Sequence, residues 1–214
     1  MPDEEPSVEG RQAFRAWLAD APASRPRLSP SRELLAEHYV MTSVLRCMDS
    51  EARRLKGGEP LRTFFWSAVT DFNGNFVHMG HRVKEELHYI PALIEGGLIE
   101  RGTVEAFHDE HDRAKQLTLN ISGCVQRGDW EAVLRFVVLY VHFLPNHMRE
   151  EESRLFRIGA EMSPESNGRL RTAFDEIDRN TLAGGSRTHY VDLARQLCAA
   201  SGIEYDLGHS QAAR

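Results

Sequence analysis

Four long amphipathic segments, short glycine-marked connections between them and the lack of alternating strand patterns predict an all-α protein. The expected architecture is an up-down-up-down four-helix bundle followed by two additional C-terminal helices. Apolar residues recur every three or four positions in each segment, the period of a helix that buries one face. Connections this short place successive helices antiparallel.

Residues 1–30 mix Pro, Ser, Ala and acidic residues and read as an irregular N-terminal arm. One apolar piece within it, AFRAWLA, suits a turn or two of helix. Residues 31–161 carry the bundle. Its first helix opens with Ser29 as N-cap and Pro30 in the first turn, and keeps Leu34, His38, Met41, Leu45 and Met48 on one stripe up to Gly57 and Gly58. Pro60 is placed to open the second, whose stripe runs through Phe65, Val69, Phe72, Phe76 and Met79 toward Ile94, before Gly96 and Gly97. Pro91, near its end, predicts a kink or a stop. The third begins about Thr103, presents Phe107, His111, Ala114, Thr118, Ile121 and Val125, and ends at Gly128. Asp129 caps the fourth, which aligns Val133, Val137, Tyr140, Leu144, His147 and Glu151. Residues 162–214 add a helix from Ser163 and Pro164 to about Ala183, another from Ser186 to about Ser201 closed by Gly202, and a short tail.

At 214 residues, with 41% hydrophobic and 27% charged residues, the chain is long and apolar enough for one globular domain with a substantial core. A formal net charge of -6 and the lack of a basic stripe speak against a nucleic-acid partner. No apolar run approaches the roughly 20 residues that span a bilayer, so no membrane role is expected. The acidic start, MPDEEPSVEG, lacks the regions of a secretory signal, and a cytoplasmic location is expected. Cys47, Cys124 and Cys198 are scattered without a CxxC, so they suggest neither a zinc ribbon nor a disulfide framework and read as small buried residues or inert thiols.

The chemistry concentrates in histidine and glutamate. His81 with Glu85 and His147 with Glu151 stand four apart on the second and fourth helices, so each pair aims an imidazole and a carboxylate at one point. His38 and His111 lie alone on the apolar stripes of the other two. In the antiparallel topology His38 and His111 sit about 12 Å from their helix starts, and Glu85 and Glu151 about 15 Å from their helix ends. All six groups therefore fall in one layer of the bundle. Buried carboxylates and imidazoles are costly without partners, and metal supplies one. Imidazole with carboxylate suits iron or manganese, with zinc a further substitute; two carboxylates can bridge two ions while two histidines end-cap each. Four protein ligands per ion leave room for an exchangeable position where dioxygen, nitric oxide or peroxide binds.

The segments EHYVMTSVL around His38, HRVKEELHYIP from His81, EHDRAK around His111 and HMREEESRLF from His147 resemble the hemerythrin-like, cation-binding HHE proteins. The resemblance covers roughly Ser31 to Glu161. It implies a hemerythrin-like bundle with two oxo- or hydroxo-bridged iron ions, held by His38, His81, Glu85, His111, His147 and Glu151. Oxygen-carrying members place a second histidine four residues after that of the third helix, where this chain has Lys115. The resulting set of four histidines and two glutamates is closer to members linked to nitric oxide response and iron-sulfur cluster repair.

His88, two turns beyond His81, is a candidate outer donor or extra ligand, and His78 and His108 stand one turn before established candidates but rotated away. Gly80 and Pro145 are placed to loosen the backbone near the site. Three functions follow. The chain binds or senses oxygen, nitric oxide or peroxide; or it is a di-iron enzyme of nitric oxide or peroxide detoxification or cluster repair. A ferritin-like iron oxidase is the third, resting on Glu85-x-x-His88 and Glu105-x-x-His108, with Glu37 off the apolar stripe as the lone carboxylate.

Overall fold

The computed structural model describes residues 28–180 and 186–205, all helix and connection with no strand among them. The apolar piece AFRAWLA and the C-terminal tail lie outside the described residues. Helix α1 is Pro30–Lys56, opened by Ser29, whose side chain accepts from the Arg32 N–H; Arg53, Arg54 and Lys56 sit in its last turn, where cations suit the dipole. Helix α2 covers residues 63–95 and starts three residues past Pro60, so that proline belongs to the connection. Helix α3 is Glu105–Arg127, preceded by a 3₁₀ turn at Arg101–Thr103 and closed by Gly128 in the left-handed region with φ 68°. Helix α4 is Trp130–Glu151, capped by Asp129, and it winds on through Glu152–Phe156 and Ile158–Glu161. Helices α5, Pro164–Asn180, and α6, Arg187–Ser201, follow.

The four long helices close a ring in which α1 packs on α4, α4 on α3, α3 on α2, and α2 on α1. Beyond the ring, α6 lies against α1 and the first part of α2, and α5 against α1 and the later part of α2. These two helices cover a face of α1 that the bundle alone would leave open, so α1 is buried on nearly every side.

Helix α2 is not uniformly α-helical. Asn73–His81 and Glu85–Tyr89 are wound as π-helix around a single α turn, Arg82–Lys84. The wider winding changes which side chains face inward. Phe76, Val77, His78 and His81 are buried, whereas Met79, on the stripe that strict α periodicity predicts, is 44% exposed. Pro91 neither stops nor ends the helix, which runs on to Glu95. Its missing N–H falls just past a segment already bonded at five-residue spacing, as the Ile90 N–H bonds the Glu85 carbonyl.

Two apolar clusters fill the interior. The larger joins α1, α2, α3, α4 and α6 and includes Met41, Val77, Ala114, Leu144 and Met148. The smaller caps the other end with Leu34, Tyr89, Phe107, Leu155, Phe156 and Phe174. Each bundle helix passes from one cluster to the other through a polar layer: Leu34 to His38 to Met41, Val77 to His81 and Glu85 to Tyr89, Phe107 to His111 to Ala114, and Leu144 to His147 and Glu151 to Leu155. The site is therefore sealed above and below by packed hydrocarbon.

Candidate metal centre

His38, His81, Glu85, His111, His147 and Glu151, one or two from each bundle helix, meet in this layer, all buried. Each imidazole turns Nε2 inward. The His38 and His81 Nε2 atoms stand 3.0 Å apart, with His38 Nε2 3.4 Å from Glu151 Oε2 and His81 Nε2 3.3 Å from Glu85 Oε1. In the other half, His111 and His147 each place Nε2 3.1 Å from Glu151 Oε1, and His111 Nε2 lies 3.3 Å from Glu85 Oε2. Both glutamates thus offer one oxygen to each half.

The outer nitrogens are bound with equal regularity. His81 Nδ1 meets Glu37 at 2.9 Å, His111 Nδ1 meets Glu86 at 2.9 Å, His147 Nδ1 meets Glu110 at 2.8 Å and His38 Nδ1 meets Glu152 at 2.8 Å. The pattern is cyclic: a glutamate on α1 holds a histidine on α2, α2 holds α3, α3 holds α4, and α4 holds α1. Each of these outer carboxylates neighbours a candidate ligand in sequence, as Glu37-His38, Glu85-Glu86, Glu110-His111 and Glu151-Glu152. That adjacency was visible in the chain, but which histidine each carboxylate serves depends on the packing of a different helix. Glu37 in particular is 1% exposed rather than off the buried face, because α5 and α2 cover that side of α1.

The residues fit a pair of cations. An imidazole in its neutral form must donate from Nδ1 to an ionised carboxylate, which leaves Nε2 a bare lone pair. Two Nε2 atoms 3.0 Å apart would repel if both were bare, so they call for either a proton or a cation between them. Two ligand atoms each about 2.1 Å from one ion are about 3.0 Å apart at a right angle and about 3.4 Å apart at the tetrahedral angle. The separations of 3.0 to 3.4 Å fall in that interval. Moreover, both oxygens of Glu85 and Oε2 of Glu151 are buried without a hydrogen bond, a costly state for a carboxylate that coordination would relieve.

Charge balance in the layer is tight. Burial opposes protonation of His81, but Glu85 and Glu37 outweigh it and hold this imidazole up to about 10. Burial is likewise overcome at His111, where Glu151, Glu85 and Glu86 raise it to about 12. The Glu151 carboxyl, despite burial, is held well below the usual range by His111, His147 and His38. A cation entering the site competes with these protons, so uptake releases them.

Aromatic rings wall the layer. Phe156 lies 5.0 Å from His38, Phe143 stacks on His147 at 6.1 Å, and Phe107 stands 6.2 Å from His147. Lys115 is exposed; besides His111, the side chains of α3 that reach His147 are Glu110, on Nδ1, and the Phe107 ring, one turn before His111. His78 is buried but binds Thr118 at 3.0 Å instead of joining the six. His88 is half-buried outside the cluster, and His108 is exposed, 4.0 Å from Glu86. Glu105 is also exposed, so the two ExxH pairs do not assemble.

One further charge reaches the site from outside the bundle. Lys84, fully buried, holds Glu37, Glu33 at 3.3 Å and Asp178 of α5 at 2.7 Å, and its ammonium lies 5.4 Å from the Phe174 ring centre. Burial opposes ionisation of Glu37, yet Lys84 and His81 hold it down to about 2. Arg187 at the start of α6 meets Asp178 at 3.5 Å. The acidic trio Glu33, Glu37 and Asp178 is thus neutralised by the cations Lys84 and Arg187.

Fold and cluster together define a helical bundle built around a buried histidine-carboxylate cluster of the kind that can hold a metal ion. The profile of the hemerythrin HHE cation binding domain matches residues 29–158, more than half of the chain, and the protein belongs to that family. No curated protein and no solved structure matches the chain. Among the described residues no helix is long and apolar enough to cross a membrane.

Proposed function

We propose that the chain is a non-haem di-iron protein that binds or senses oxygen, nitric oxide or peroxide. In this reading His38 and His81 hold one iron, His111 and His147 the other, and Glu85 and Glu151 span both. The observation that carries it is the double orientation of the four histidines, with every Nδ1 on its own carboxylate and every Nε2 in the shared layer. Nitrogen and oxygen donors in this ratio suit iron, with manganese or zinc as substitutes. Four donor atoms per ion fall short of six, which leaves a position for a small ligand, and iron would supply redox chemistry there. The packed apolar ends and aromatic walls favour a diatomic molecule or peroxide over anything larger.

Anaerobic ferrous titration of metal-free protein tests the centre. Two equivalents per chain are expected, with proton release, and an optical spectrum that changes on adding nitric oxide, oxygen or peroxide. Uptake that is absent, or unchanged by His147→Ala, overturns it. Repeated consumption of nitric oxide or peroxide with an electron donor would identify an enzyme, whereas a stoichiometric spectral change identifies a binding or sensing protein.

A further inference from the structure

Two of the three buried thiols meet outside the metal layer. Cys47 lies in the second half of α1 and Cys198 in the last turn of α6, 151 positions apart in sequence, with their sulfurs 3.4 Å apart. A disulfide needs a sulfur separation of about 2.05 Å, so the pair must close by little more than 1 Å. The two sides of the contact differ. Cys47 is set in the middle of the most enclosed helix, with its Sγ 3.2 Å from the Ser43 carbonyl oxygen. Cys198 sits four residues before Gly202, the left-handed residue that ends α6. Helix ends open at the least cost, so that terminus supplies both access and the small shift required. The Cys198 thiol pulls Cys47 below the usual thiol range although burial opposes it, and the same contact together with burial pushes Cys198 up. Cys47 is therefore the sulfur that ionises first. Cys124 has Arg127 at 3.3 Å and is not paired with either.

We propose that Cys47 and Cys198 form a redox-active dithiol that a peroxide oxidises to a disulfide, fastening α6 to α1. The Cys47 thiolate attacks one oxygen of hydrogen peroxide; the S–O bond forms, the O–O bond breaks, and hydroxide leaves to become water with a proton. The Cys198 sulfur then attacks the sulfenic sulfur of Cys47. The S–S bond forms, the S–O bond breaks, and the departing hydroxide takes the Cys198 proton as a second water. Two thiols lose two electrons and peroxide gains them. A dithiol reductant reverses the bond by exchange. This site requires no metal and is separate from the centre proposed above.

The test uses the full chain, exposed to hydrogen peroxide in the presence of a metal chelator, then denatured in an alkylating agent and analysed by mass. Free thiols should fall from three to one, with a peptide linking residues 47 and 198, and a dithiol should restore all three. Cys124→Ser should leave the bond unchanged. Cys198→Ser should accumulate a sulfenic acid at residue 47 that dimedone captures, whereas Cys47→Ser should show no such label at residue 198. Retention of three thiols, a bond to Cys124, or equal dimedone labelling in the two single variants overturns the proposal. Because chelated protein is used, the outcome stands apart from the fate of the di-iron reading.

Discussion

Replacing each outer glutamate by glutamine, one at a time, separates the charge of these groups from their shape. Glutamine keeps an oxygen to accept the Nδ1 proton but removes the negative charge that makes the imidazole a stronger donor at Nε2. Losses of this kind typically weaken metal binding by about 10- to 100-fold, or about 1.4 to 2.7 kcal/mol. The structure ranks the four. Glu37 has a side chain 2% exposed, Glu86 15%, Glu152 36% and Glu110 39%. Water screens and replaces charge at the last two, so Glu110→Gln and Glu152→Gln should fall near the tenfold end. Glu37→Gln should reach or exceed 100-fold, because it also takes a counter-charge from buried Lys84. Glu86→Gln should lie between, with Arg82 at 3.0 Å left partly unpaired. The assay is anaerobic competition for ferrous iron against a chelator of known affinity. Four equal losses, or a larger loss for Glu110→Gln than for Glu37→Gln, would refute the view that buried carboxylates tune the imidazoles.

Three other outcomes follow from the packing. Lys84→Met leaves Glu33, Glu37 and Asp178 short of their cation and should destabilise metal-free protein by about 3 to 5 kcal/mol in urea unfolding; a loss under about 1 kcal/mol would contradict the charge balance described. The deficit should also narrow on acidification. Burial raises Glu33 to about 7 while Lys84 opposes it, so in the variant this carboxyl rises further, and protonation below neutral pH relieves more of the penalty. Gly159→Ala would bring a Cβ to 1.9 Å from the hydroxyl oxygen of fully buried Tyr89, and should lower stability by about 1 to 3 kcal/mol, read as a fall in denaturation midpoint. His78 is pushed down to about 3 by burial, with Arg82, His111 and Lys115 adding to it. Its folded value lies below its unfolded one, so stability is present above pH about 6.5 and drains away as pH falls toward 3. His78→Leu should flatten that acid limb in metal-free protein, and an unchanged slope would show that another group controls it.

Much of the site could be read before any coordinates because a helix converts sequence spacing into direction. His81 with Glu85 and His147 with Glu151 share a face whatever surrounds them, and His38 and His111 lie on stripes whose other members are apolar. Counting residues from the helix starts near Ser29 and Thr103 and from the helix ends before Gly96 and near Glu161 placed the six at one depth, and caps at Ser29, Asp129 and Ser186 sit where their short polar side chains accept the first free N–H groups. The same logic failed in α2. Strict α periodicity put Met79 inside and left His78 rotated away, whereas the π winding of Asn73–His81 exposes the first and buries the second.

What the chain determined by itself is therefore local: helix extents, the faces they bury, and the residue types able to hold a cation. Only the tertiary structure decided the pairings, because they join helices whose relative rotation no single periodic pattern encodes. It showed that Glu37 serves His81 across the bundle, that Glu110 and Phe107 reach His147, and that Cys47 meets Cys198. The reason lies in α5 and α6. By covering a second face of α1 they turn positions that a four-helix count leaves in water into buried ones, and burial is what makes Glu37, Lys84 and the two thiols interact strongly.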